Sequence, residues 1–104
     1  MSKQYHKLIR DKIPQIIEKS DKTCRTEVLD EQDYLAMLDE KLGEELAEYM
    51  ESKALEELAD LLEVMEAVVT ARGYTWEQLL AVKEEKKAAR GGFEDRLLLL
   101  EVSK

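Results

Sequence analysis

Apolar residues recur at helical spacing through the middle of the chain. With successive residues about 100° apart, the apolar positions of residues 31–50 form an arc about 80° wide, and those of residues 53–72 form one of roughly 180°. Both patterns predict amphipathic helices, over residues 31–50 and 53–72. The narrower arc consists of Leu35, Leu38, Leu42, Leu46 and Tyr49.

Residues that favour helix ends mark the limits of these helices. Asp30, with an acid three residues later, is a typical N-cap, and Gly73 is a typical stop for the second helix. Thr75 and Gln78 have the spacing of a capping box, which predicts a third helix from residue 75 to about residue 89. The glycines at 91 and 92 end it.

The two ends of the chain carry weaker patterns. A short helix is predicted over residues 12–19, with Asp11 as its cap and Pro14 within its first turn. The segments 23–29 and 97–102 are β-branched or apolar, and they predict a small two-stranded β pair between the N- and C-terminal regions. The expected fold is all-α, with a helical hairpin at its centre, in one domain over residues 1–104.

Composition narrows the fold class and the partners. Only 6% of the 104 residues are aromatic, and four Gly with one Pro provide too few turns for an all-β fold. The net charge of −8 disfavours binding to nucleic acid polymers and to anionic membranes. The single Cys24 and the lack of an apolar N-terminal run indicate a cytoplasmic protein.

Four acids stand where the helical patterns predict packing rather than solvent. Glu45 lies at the edge of the first apolar arc with Glu48 on the same side, Glu57 lies inside the second arc, and Asp60 lies at its border. Because burying an isolated carboxylate costs several kcal/mol, such acids should be paired, protonated or bound to a metal. An antiparallel hairpin would bring the two pairs together, and this donor set suits Mg²⁺ or Mn²⁺.

The same spacing also has a plainer interpretation. Glutamate is a strong helix former, so a single ExxE pair occurs by chance in any acidic helix. Most of the acids in the region are expected to form a solvated face. These are Glu44, Glu51, Glu56, Glu63 and Glu66.

The acid pairs lie within KLGEELAEYMESKALEELADLLEVMEA, residues 41–67. Here the chain resembles the MazG-like nucleotide pyrophosphohydrolases of the all-α NTP pyrophosphatase superfamily, whose signature is an ExxE pair followed by an ExxD pair. YHKLIRDKIPQII at 5–17 and KKAARGGFEDRLLLLEV at 86–102 resemble the branch described as phosphoribosyl-ATP pyrophosphohydrolase-like. The likeness covers nearly the whole chain.

The resemblance implies an enzyme built as a helical bundle. Glu45, Glu48, Glu57 and Asp60 would hold Mg²⁺, and the enzyme would cleave a nucleoside triphosphate or phosphoribosyl nucleotide between its α and β phosphates, releasing monophosphate and pyrophosphate. One of the carboxylates would orient or deprotonate the attacking water; the resemblance does not single one out, and Glu48 is the preferred choice. Glu44 with Glu48 is an alternative ligand pair at i, i+4.

A polyphosphate bound beside four acids also requires cations. Arg10 is a candidate because arginine binds phosphate through two parallel hydrogen bonds. Lys83, Lys87 and Arg90 share one face of the third helix, before the flexible RGGF stretch. A favourable helix C-terminus explains the same charges without any phosphate. No P-loop or GxGxxG motif is present in the sequence.

The small size and the family indicate a homodimer or a higher homo-oligomer. The apolar arc of residues 54–69 is wider than one neighbouring helix would cover, so a second subunit is expected to cover the remainder. An alternative of a different class is a non-catalytic acidic helical module that binds a partner protein.

Overall fold

The computed structural model describes residues 3–104, and over this range the fold is all-α. Met1 and Ser2, the first two residues of the predicted domain, lie outside the described range. The short first helix and the three longer ones all form close to their predicted positions. The helices are α1 (Ile13–Lys19), α2 (Glu31–Ser52), α3 (Leu55–Ala71) and α4 (Trp76–Arg90).

Three of the predicted helix ends are confirmed. Asp30 caps α2 by accepting a hydrogen bond from the Asp33 backbone N–H at 2.8 Å. Thr75 and Gln78 form the reciprocal capping box of α4. Gly73 follows the end of α3 with φ of 89°, a left-handed conformation that glycine adopts without strain.

The predicted cap of α1 is wrong. The helix begins at Ile13, so the N-cap position belongs to Lys12, and the cap makes no side-chain hydrogen bond. Asp11 lies one residue before the N-cap position, so its carboxylate does not accept a hydrogen bond from the backbone N–H groups of the first turn. Pro14 lies in that turn, as predicted.

Helices α2 and α3 form an antiparallel hairpin, which is the main packing unit of the chain. Only Lys53 and Ala54 connect them, and Lys53 ends α2 in a left-handed conformation with φ of 59°. At the open end of the hairpin, Arg72 forms an ion pair of 2.8 Å with Asp39. Leu38 from α2 and Val64 from α3 are the buried apolar residues of the described chain. Helix α4 packs less extensively, against α3.

The predicted β pair is also wrong. Residues 23–29 and 97–102 carry no strand, and no backbone hydrogen bond joins them. Val28 is fully exposed, and the four leucines of residues 97–100 are between 79% and 90% exposed. A pair of short strands without a third strand or a covering helix is marginal in water, which accounts for its absence.

Within residues 3–104, no helix combines the length and the apolar character needed to cross a bilayer.

Candidate metal centre

Three carboxylates meet between α2 and α3. One carboxylate oxygen from each of Glu45, Glu57 and Asp60 lies within 4.8 Å of the other two. Glu45 belongs to α2, and the other two belong to the first half of α3, so the hairpin itself brings them together. The i, i+3 spacing of Glu57 and Asp60 places both on one side of α3. We call these three residues the acid cluster.

Glu45 is the most buried member of the acid cluster, with 7% of its surface exposed. Its Oε1 lies 3.3 Å from the Lys41 Nζ, whereas its Oε2 is buried without a hydrogen-bond partner. Buried carboxylate oxygens are normally paired, because an unpaired one has lost its water without compensation. Two more carboxylates nearby complete a set of hard oxygen donors, which fits a divalent cation such as Mg²⁺ or Mn²⁺.

The electrostatics of the acid cluster reflect this crowding. Burial raises the pKa of Glu45 above its ordinary value, and the adjacent Glu48 carboxylate raises it further, whereas Lys41 opposes both effects. Burial by itself lowers the pKa of Lys41, but contacts with Glu44 and Glu45 outweigh it and raise that pKa overall. The protein therefore favours a proton, or another cation, close to Glu45.

Lys41 is a site residue that the sequence analysis did not assign. Its ammonium bridges Glu44 at 3.1 Å and Glu45 at 3.3 Å, and its side chain is largely buried. Its role could have been predicted from its position four residues before Glu45, which places the two side chains together on a helix. Lys53 is the only other base between residues 31 and 66. A lysine surrounded by acids is a natural internal counterion.

The segment before α1 lies over the acid cluster. Arg10 Nη2 donates to Asp60 Oδ1 at 2.8 Å, so one of the predicted phosphate ligands lies at the site. Residues 8–12 form one wall of a groove of about 440 Å³, and α2 and α3 form the other. The groove-lining residues from the two helices are Tyr34, Leu38, Lys41, Glu45, Asp60, Glu63, Val64 and Ala67.

Glu48 and Glu44 lie beside the acid cluster rather than in it. Glu48 is exposed to water and to a ligand in solution, and its carboxylate is near enough to raise the pKa of Glu45. Glu44 is held by Lys41 at 3.1 Å. The grouping therefore brings together three of the four predicted metal ligands, with the fourth adjacent to Glu45.

The basic residues of α4 are not part of the groove. Lys83, Lys87 and Arg90 are exposed, and Lys83 pairs with its neighbour Glu84 at 3.3 Å. The Gly91 N–H, in the predicted flexible stretch, donates to the Lys87 carbonyl at 2.7 Å and closes the helix. Within one described chain, Arg10 and Lys41 are the cations placed at the acid cluster.

In comparisons with known proteins, the chain matches no family model, no curated protein and no solved structure. The resemblance to MazG-like enzymes thus rests on the sequence motifs alone.

Proposed function

We propose that the protein is a Mg²⁺-dependent nucleotide pyrophosphohydrolase of the MazG-like type, able to use Mn²⁺ as well. It would hydrolyse a nucleoside triphosphate or a phosphoribosyl nucleotide between the α and β phosphates, giving a monophosphate and pyrophosphate. The observation that carries the proposal is the convergence of Glu45, Glu57 and Asp60, with a buried oxygen of Glu45 left unpaired.

In this proposal the acid cluster holds the metal, with Glu48 as a fourth ligand from the rim. Mg²⁺, when bound, supplies positive charge to the phosphates and lowers the pKa of a bound water. The chain contributes a rigid position, because the donors come from two helices joined by a two-residue connection. The exposure of Glu57 and Asp60 is intermediate, which leaves room for substrate oxygens and water.

Glu48 is the proposed general base. Its carboxylate is exposed beside Glu45 and would accept a proton from the attacking water while the water oxygen bonds to the α phosphorus. The anhydride bridge then breaks, and pyrophosphate leaves with the electron pair of the bond.

Arg10 is the proposed principal phosphate ligand. It stands at the groove on an irregular segment, and its present partner Asp60 is itself exposed enough to exchange partners. Its planar guanidinium suits two parallel hydrogen bonds to one phosphate. Lys83, Lys87 and Arg90 remain secondary candidates on α4.

The proposal includes a homodimer, expected from the small core, and keeps the cytoplasmic location predicted from the sequence.

Pyrophosphate release is the direct test. The protein is incubated with Mg²⁺ and a panel of canonical, deoxy and oxidised nucleoside triphosphates together with phosphoribosyl-ATP. Release from one substrate, lost in Glu45→Gln and Asp60→Asn but kept in Glu56→Gln, is the expected result. Glu56 is a matched control because it is an exposed acid of α3, the helix of Asp60, and lies outside the acid cluster. No release by folded protein would overturn the proposal in favour of an acidic protein-binding module.

A further inference from the structure

The chain exposes far more surface than a folded monomer of its size. Its solvent-accessible area is 9842 Å², whereas a compact monomer of 12.0 kDa exposes about 6,000 Å². Its radius of gyration is 18.6 Å, against about 13 Å for a compact domain of this length. Among the described residues only Leu38 and Val64 are buried apolar side chains. This core is too small to stabilise the chain alone.

The C-terminal segment, residues 97–102, adds to this excess. Leu97, Leu98, Leu99, Leu100 and Val102 are between 79% and 90% exposed, in a stretch without helix or strand. Neighbouring side chains point to opposite sides of an extended backbone, so four consecutive leucines make both sides apolar. Such a pattern is typical of a segment covered on both sides.

A second apolar surface runs along the outside of α3. Leu55, Leu58, Leu62 and Met65 are exposed and recur at helical spacing, so they lie on one face. Their positions on the helical wheel lie opposite Glu57, Asp60 and the buried Val64. We call these four residues the outer stripe. A partner covering the outer stripe would leave the acid cluster open to solvent.

We propose that residues 97–102 of each chain pack against the outer stripe of a second copy of this chain. The inference rests on the homodimer of the proposed function and not on the hydrolase activity. Both surfaces are accessible in the single chain, because the outer stripe residues are 38–77% exposed and the apolar residues of the segment 79–90% exposed, so a second copy can cover them. The excess area per chain is several times the roughly 800 Å² that each partner contributes to a standard interface.

Sedimentation equilibrium of the full chain gives the first test, with wild type, Leu98→Asp and Leu58→Asp at equal concentration. We expect a wild-type dimer whose dissociation constant rises about tenfold or more in each variant, because a buried anchor becomes a charge. Val28→Asp is the matched control, since Val28 is fully exposed outside both surfaces. Far-UV circular dichroism verifies that each variant keeps its helices. A monomeric wild type overturns the proposal and the dimer together.

Cross-linking identifies what the C-terminal segment touches, even if a charged variant does not fold. In a Cys24→Ser background, isotope-labelled Leu99→Cys chains are mixed with unlabelled Leu62→Cys chains and treated with a short bismaleimide. A labelled–unlabelled product joined between residues 62 and 99 is expected. A chain carrying both Leu62→Cys and Leu99→Cys is treated in the same way. If only this chain cross-links, and does so internally, the segment covers its own outer stripe and the proposal is wrong. Pyrophosphate release by the wild type, measured separately, tests the enzyme proposal independently of either result.

Discussion

The Arg10 guanidinium and the Asp60 carboxylate form an ion pair of 2.8 Å between residues 50 positions apart in the sequence. The contact joins the segment before α1 to the acid cluster. Both side chains are substantially exposed, and exposed pairs of this kind stabilise a protein by only about 0–1 kcal/mol. Arg10 can therefore balance the charge of Asp60 when no metal is bound and still exchange partners at little cost.

Removing Arg10 should have opposite effects on metal and on substrate. In Arg10→Gln, the Asp60 carboxylate loses its ion pair, so the metal no longer competes with the guanidinium. We expect Mn²⁺ to bind up to about fivefold more tightly, a factor that corresponds to the free energy of one exposed ion pair. The same change should lower kcat/KM for pyrophosphate release, because a phosphate ligand is lost. Calorimetric titration with Mn²⁺ and steady-state kinetics measure the two effects.

Arg72→Gln is the matched control for that experiment. Arg72 forms an ion pair of the same length with Asp39, at the open end of the hairpin and outside the acid cluster. It should alter neither Mn²⁺ affinity nor turnover. Equal effects of the two substitutions would mean that general charge, rather than the Arg10–Asp60 contact, controls metal binding.

Mg²⁺ should stabilise the folded protein. A ligand that binds only the native state, at a concentration ten times its dissociation constant, adds about 1.4 kcal/mol to the free energy of unfolding. For a chain of this size, each added kcal/mol raises Tm by roughly 4–8 °C. Glu57→Gln should abolish the increase, whereas the neighbouring Glu56→Gln should retain it. Thermal unfolding in Mg²⁺ and in chelator gives the comparison, and an increase that survives in Glu57→Gln would argue against the acid cluster as the site.

The contribution of Glu45 to the stability of the metal-free protein should fall with rising pH. Its pKa is raised in the folded state, so the folded protein holds a proton that the unfolded chain releases above its ordinary pKa of 4.5. The contribution is therefore full below pH 4.5 and is lost as the pH rises through the folded-state pKa. Other acids titrate in the same range, so the informative quantity is the difference in Tm between wild type and Glu45→Gln.

That difference is measured in chelator from pH 4.5, the ordinary pKa of the glutamate side chain, up to pH 8. Wild type should lose stability relative to Glu45→Gln across the range. Mg²⁺ should reduce the loss, because a cation takes the place of the proton. A constant difference at all pH values would show that Glu45 titrates normally.

Leu38 should contribute more to stability than any exposed leucine. It is only 4% exposed, so Leu38→Ala removes buried contacts and leaves a cavity, at a cost of about 2–5 kcal/mol. Leu80→Ala is the control because Leu80 is exposed on α4. Urea unfolding of the two variants should show a clear loss for the first and a small effect for the second. Similar losses would mean that the hairpin core is not centred on Leu38.

Local signals were sufficient to predict the helices and much of the candidate site. The caps at Asp30 and Thr75 act within four residues, so their sequence patterns are close to complete descriptions. The convergence of Glu45, Glu57 and Asp60 was also predictable, because helical spacing and a short connection determine where these side chains lie. In each case the deciding interactions lie close together in the chain.

Contacts between distant segments were harder to predict. No periodicity indicates that Arg10 lies beside Asp60, because the segment carrying it has no regular structure. The run of four leucines was interpreted as a strand because its apolar character was visible, whereas its partner was not. Its exposure in one chain shows that apolar character alone does not specify which surface a segment covers.

The two-residue connection at Lys53 and Ala54 sets a strict length requirement on the hairpin. Glu45 lies eight residues before Lys53 and Asp60 seven after it, so the two acids stand at nearly the same height above the turn. One residue inserted into α2 between Glu45 and Lys53 would raise Glu45 by about 1.5 Å and rotate it by about 100°. The length of the sixteen-residue stretch from Glu45 to Asp60 is therefore fixed by the need to keep these two acids side by side. Changes of chain length are better tolerated in the irregular segments outside this stretch.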